Sequence, residues 1–159
     1  MQGELKIHPP ELEMLLAATK GKKRFLEVGT LHGVTAALLA EANPDCLVVS
    51  LDIFRDVTPL NWFANRRKNQ ALYVGTAQDL CLLGAGPFDV IFVDAQHKHE
   101  PCLADLLSAD EMLAPDGKLF AHDYDERWPG VVRAVDEFCE KYNWRIAAKA
   151  KQLVRMERI

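Results

Sequence analysis

Residues 24–41, RFLEVGTLHGVTAALLAE, decide the fold. RFLEV reads as a buried strand, Gly29 and Gly33 punctuate a turn, and VTAALLAE continues as an apolar helix. Such a strand–turn–helix unit belongs to an α/β sheet. An acid, Glu27, sits inside the strand, two residues before the first glycine. A carboxylate at that place, before a turn with almost no side chain, asks for a ligand.

The same alternation runs outward in both directions. Upstream, His8-Pro9-Pro10 precedes an amphipathic stretch, 11–19, with Leu12, Leu15 and Leu16 at helical spacing. Downstream, the helix from Val34 to Ala42 stops at Asn43-Pro44. CLVVSLDIF (46–54) is a β-rich run, and 58–69 reads as helical. ALYVGTA (71–77) is a short strand followed by a turn at QDL. FDVIFVDA (88–95) is a continuous apolar run bounded by acids, as in a central parallel strand covered on both faces. A helix over about 99–113 carries Leu103, Leu106, Leu107 and Leu113 and stops at PDG (115–117). KLFAHDY (118–124) is the fifth strand. A helix over 130–142 places Val131, Val132, Val135, Phe138, Cys139 and Tyr142 on one face. WRIAAKA and QLVRMERI close the chain as two strands with only a turn between them, which forces an antiparallel pair. The expectation is one domain over 1–159: a doubly wound, seven-stranded, mostly parallel α/β sheet with a reversed C-terminal strand.

Composition narrows the class. The 159 residues are 49% hydrophobic and 26% charged, enough for a real core. A net charge of −4 argues against a nucleic-acid surface, and Arg66, Arg67 and Lys68 read as a solvated helix face. Cys46, Cys81, Cys102 and Cys139 show no ligand spacing and read as small buried hydrophobes. With no apolar signal core in the opening residues and no stretch long enough to span a bilayer, the expected setting is cytoplasmic, with no membrane partner.

In a doubly wound sheet, ligands bind beyond the carboxyl ends of the strands. Here those ends read Glu27-Val28-Gly29-Thr30, Asp52, Gly75-Thr76-Ala77-Gln78-Asp79, Asp94-Ala95-Gln96-His97 and His122-Asp123. All are polar. A single acid could be a helix cap, but the whole set is poorly explained by capping. A dinucleotide site would show GxGxxG, whereas Gly29 and Gly33 are four apart. That spacing suits a ligand without a pyrophosphate. Asp52 is placed for two ribose hydroxyls. A ribose without pyrophosphate points to S-adenosylmethionine.

On these residues the sequence resembles the class I S-adenosylmethionine-dependent methyltransferases. More narrowly, it resembles the methyltransferase domain 24 and catechol O-methyltransferase-like group. FLEVGTLHGVTAALLAE, VGTAQDL, FDVIFVDAQHKHE, LAPDGKLFAHDY and PGVVRAVDEF match its motifs in order, over about residues 8–142. The resemblance implies the Rossmann-like methyltransferase fold. It implies that Glu27, Gly29, Thr30 and Gly33 wall the methionine end of the cofactor. Asp52 would take the ribose, Ile53 would pack on the adenine, and Gln78 and Asp79 would sit at its edge. Asp94 and Asp123 fall where the group holds a divalent metal such as Mg²⁺, with His122 beside them. His97 falls where catechol-type relatives carry a lysine base and domain 24 relatives often carry histidine, and Asp94 is expected to share in both catalysis and cofactor binding.

The implied reaction is O-methylation of a small-molecule hydroxyl, such as a sugar, phenol or natural product. A metal would acidify that hydroxyl, and imidazole accepts protons near neutral pH. Plain structural alternatives stand beside these roles. Asp123 could cap a turn, His97 could be a surface histidine, and imidazole is a poor Mg²⁺ ligand, which favours a packing role for His122. A cofactor-binding domain without catalysis and a metal-independent methyltransferase also remain open. HKHE departs from the group by placing His99 where Tyr is common, and the acceptor-side segments of catechol-type enzymes are missing. The acceptor side is then expected to be open, or closed by a second subunit in a homodimer.

Overall fold

The structure is a computed structural model that describes residues 7–53 and 58–159. Residues 1–6, part of the opening stretch, and Phe54, the last residue of CLVVSLDIF, lie outside the described residues. The chain runs α1 (Pro9–Thr19), β1 (Arg24–Val28), α2 (Val34–Ala42), β2 (Leu47–Asp52), α3 (Thr58–Asn65), β3 (Gln70–Val74) and α4 (Ala77–Leu82). It continues with β4 (Phe88–Val93), α5 (His99–Met112), β5 (Leu113–Ala121), α6 (Pro129–Lys141), β6 (Trp144–Ala150) and β7 (Leu153–Arg158).

The seven strands form one sheet in the order β3-β2-β1-β4-β5-β7-β6. β1 to β5 pair in parallel, and β7 runs antiparallel to both β5 and β6. The doubly wound sheet with one reversed strand is therefore the observed architecture. The order turns between β1 and β4, so the cleft opens beyond their carboxyl ends.

Apolar side chains from both sheet faces build two core layers. One gathers Leu26, Ile91, Leu119 and Phe138; the other gathers Leu15, Phe25, Val90 and Phe120. β4 contributes to both, as its unbroken apolar run requires.

Several boundaries differ from the sequence reading. The QDL turn is the first part of α4, because Thr76 and Asp79 close a capping box that starts a helix. The helix over 58–69 ends at Asn65, so Arg66, Arg67 and Lys68 lie beyond it rather than on its face. Arg67 instead donates to Glu41, at 3.0 Å. The helix before PDG stops at Met112, and PDG falls within β5, where the pairing with β4 shifts register between Phe88 and Val90. β5 ends at Ala121, because Asp123 turns to φ 58°, out of the extended region. Cys46 and Cys102 are buried, whereas Cys81 and Cys139 are half-buried; all four are free thiols. Cys81 is not packed as a plain hydrophobe, since its Sγ donates to Glu111 at 3.1 Å.

Candidate active site

A cavity of about 720 Å³ lies over the ends of β1, β2, β3, β4 and β5. Its wall begins at the glycine turn. Gly29, at φ 88°, abuts the end of β4 so closely that a Cβ would meet the Asp94 carbonyl oxygen at 2.2 Å. Gly33, at φ 71°, lies under the Trp62 ring, where a Cβ would sit 2.4 Å from Cδ1. Both positions demand glycine for conformation and for space.

Glu27 lines the cavity and is 2% exposed. The Thr30 hydroxyl donates to its Oε2. Burial pushes the Glu27 carboxyl up to about 8; the Thr30 bond pulls the other way, while Asp94 and Asp52 add to the rise. Asp52 accepts from the Leu31 backbone N–H at 2.8 Å and faces the cavity with Ile53. Gln78, in the first turn of α4, also faces it. Asp79 lies outside the cavity lining among the described residues. It accepts from Thr76 N at 3.0 Å and Thr76 Oγ1 at 2.6 Å, and these bonds hold its carboxyl below the usual range.

Beyond β4 and β5, five charged or polar side chains converge. His97 Nε2 lies 2.7 Å from Asp123 Oδ2. His122 Nδ1 lies 3.3 Å from Asp123 Oδ1 and 3.5 Å from Asp94 Oδ1. The other ring nitrogen, Nε2, is 3.2 Å from Glu11 Oε2. His122 is thus enclosed by three carboxylates. Burial alone would lower its pKa, but hydrogen bonds to Asp123 and Asp94 and their charges carry it up to about 11. Burial raises the Asp94 carboxyl, against the pull of His122. The Asp123 carboxyl is lowered, because His122 and His97 together outweigh burial. His97 is fixed from the side by Trp128, whose ring stacks on it with centroids 4.0 Å apart and planes 22° apart.

Asp94, His97 and Asp123 each offer a ligand atom, all within 4.8 Å of one another. Two carboxylates and an imidazole fit a divalent ion. The nitrogen donor favours a borderline ion such as Zn²⁺ or Fe²⁺ over Mg²⁺. His122 is not in this group, since both its ring nitrogens face carboxylates.

The sequence pattern of the methyltransferase domain family matches residues 26–124. The chain belongs to that family. Its fold is that of the class I S-adenosylmethionine-dependent methyltransferases, and this methyltransferase domain resembles several solved structures closely. Cofactor-bound Rv0187 from MTB is 20% identical, with a TM-score of 0.78 over 97% of this chain and 82% of that one. The O-methyltransferase TomG from Streptomyces achromogenes, involved in tomaymycin synthesis and solved with S-adenosylmethionine, is 20% identical, with a TM-score of 0.69 over 96% and 79%. An O-methyltransferase from Bacillus cereus, in complex with S-adenosylhomocysteine, is 19% identical, with a TM-score of 0.70 over 95% and 80%. No curated protein matches in sequence.

Sequence reasoning missed one member of the methyltransferase's polar cluster. Glu11 reads as the start of an amphipathic helix, yet it is fully buried. It accepts from His8 N at 2.7 Å and Gln152 N at 2.8 Å, and it holds His122. The available signal was Glu at the third position after His8-Pro9-Pro10, a capping-box position. Nothing local announced its contacts with β5 and the β6–β7 turn.

Proposed function

We propose that this protein transfers a methyl group from S-adenosylmethionine to a hydroxyl of a small molecule. The observation that carries this is the His97–Asp123 pair at the wall of the cavity, beside Asp94. Asp123 Oδ2 accepts from His97 Nε2–H, which leaves Nδ1 with its lone pair to take the acceptor's proton. Trp128 keeps that ring in plane by stacking. At the other end, Glu27, Thr30 and the glycine turn would hold the methionine portion, Asp52 the ribose and Ile53 the adenine face. The cofactor supplies an electrophilic methyl group; positioning and electrostatics carry most of the remaining barrier. Two bound relatives support the cofactor: TomG with S-adenosylmethionine and the Bacillus cereus enzyme with S-adenosylhomocysteine.

A second reading rests on the Asp94, His97 and Asp123 cluster. These three would hold a divalent ion, which would acidify the acceptor hydroxyl and make His97 a ligand instead of a base. Apolar side chains at the cavity wall, Leu31 at 42% and Trp128 at 38% exposure, support a second copy covering the acceptor side as a homodimer. The four free thiols suit a reducing, cytoplasmic setting. No helix among the described residues is long and apolar enough to cross a membrane.

The test incubates the protein with S-adenosylmethionine and a panel of phenols, sugars and polyketides, with and without EDTA. Mass spectrometry should show an acceptor gaining one methyl, and His97→Ala should lose that activity. Turnover that survives EDTA supports the histidine base; turnover that stops and returns with added Mg²⁺, Fe²⁺ or Zn²⁺ supports the ion. Full activity in the His97→Ala protein would sink both.

A further inference from the structure

The wall of the cavity formed by α4 and α5 carries an acid that no strand end or turn announces. Asp105 lies within α5, is 6% exposed, and lines the cavity together with Gly75, Ala77 and Gln78. Its neighbours along the helix, Cys102, Leu106 and Ala109, are core residues. A carboxylate among them costs stability unless it is partnered. Burial raises its pKa to about 6, and the Gln78 amide beside it acts in the opposite direction. The nearby Asp79 is committed to capping α4 and does not reach the cavity lining. Asp105 is therefore the acid available at this end.

We propose that Asp105 reads the adenine of the cofactor by accepting a hydrogen bond from its exocyclic amino group. Gln78 completes the same edge. This rests on the reading of the cavity as an S-adenosylmethionine site. The chemistry is complementary. Adenine presents an amino donor beside a ring-nitrogen acceptor. The carboxylate accepts from the first, while the Gln78 amide, with two N–H groups, serves both Asp105 and the ring nitrogen. A 6-keto purine presents an oxygen where adenine has the amine. That oxygen would face the Asp105 carboxylate, acceptor against acceptor, so the site excludes it.

Calorimetry on the full chain tests this with S-adenosylhomocysteine and its 6-keto analogue, S-inosylhomocysteine. The wild-type protein should prefer the adenosyl ligand by about tenfold or more, the usual size of one charge-assisted hydrogen bond. Asp105→Asn, whose amide can accept or donate, should bring the two affinities within about threefold. Equal wild-type affinities overturn the proposal, as does an unchanged preference in the variant. Wild-type protein that binds neither ligand sinks the cofactor reading and this inference with it. If the variant does not fold, the Asp105 carboxyl carbon in wild-type protein decides by NMR. It should shift with the adenosyl ligand and not with homocysteine; an unmoved resonance overturns the proposal.

Discussion

The rim of the sheet has two halves that are built differently. At the ends of β1 and β3, polar side chains are held by close neighbours in sequence: Thr30 donates to Glu27, and Thr76 and Asp79 bond reciprocally, each pair three residues apart. At the ends of β4 and β5, partners come from far away. His97 and Asp123 are 26 residues apart, and His122 and Glu11 are 111 apart. A locally built site needs only its strand and turn. A site assembled from β4, β5 and α1 needs the whole sheet closed first, and it brings together charges that repel or attract strongly once desolvated. The two halves should therefore fail separately.

The sharpest test of that separation lies in the dyad. Asp123→Asn keeps a residue that tolerates the left-handed φ of 58° but removes the charge. It and His97→Ala should each lower methyl transfer by about 10²–10⁴, the usual contribution of a positioned base. Calorimetric affinity for S-adenosylhomocysteine should stay nearly constant. If affinity falls in step with rate, the halves are not independent.

Glu11→Ala should cost about 3 kcal/mol in urea unfolding, because it leaves a buried histidine one carboxylate short and strips an acceptor from two backbone N–H groups. Glu11→Gln keeps acceptor oxygens and should lose less. A loss below that of an ordinary surface substitution would show that this half does not depend on α1.

The Glu27 side chain gives the cofactor half its own pH signature. Its folded pKa of about 8 lies above the ordinary carboxyl value of 4.5, so between these the folded chain keeps a proton that the unfolded chain releases. Stability from this group is therefore full below about 4.5, falls as pH rises to about 8, and is level above that. Glu27→Gln should remove the fall, on the order of 5 kcal/mol between the ends of that window. Unfolding curves at several pH values check it. A variant that keeps the wild-type slope would assign the slope to another group.

The smallest effect expected is on the ribose. Asp52→Ala should weaken S-adenosylhomocysteine about tenfold, near 1.5 kcal/mol, with the rate at saturating cofactor unchanged. A matching drop in that saturated rate would extend the role of Asp52 into the other half.

The sequence by itself determined the alternation of strands and helices, the reversed final strand and the glycine turn. Each rests on a short-range pattern: side-chain periodicity, a turn too short for a crossover, or backbone freedom at Gly29 and Gly33. It misread QDL as a turn and ran a strand through His122, because capping and left-handed residues shift boundaries within a few positions. Tertiary structure alone decided which polar groups meet. Asp79 turned to its helix cap while Asp105 came to the cavity from a helix that the sequence marked only as apolar. Glu11 and His122 were paired by the packing of α1 against the sheet. Such contacts depend on where distant elements dock, and no local pattern encodes the distance between them.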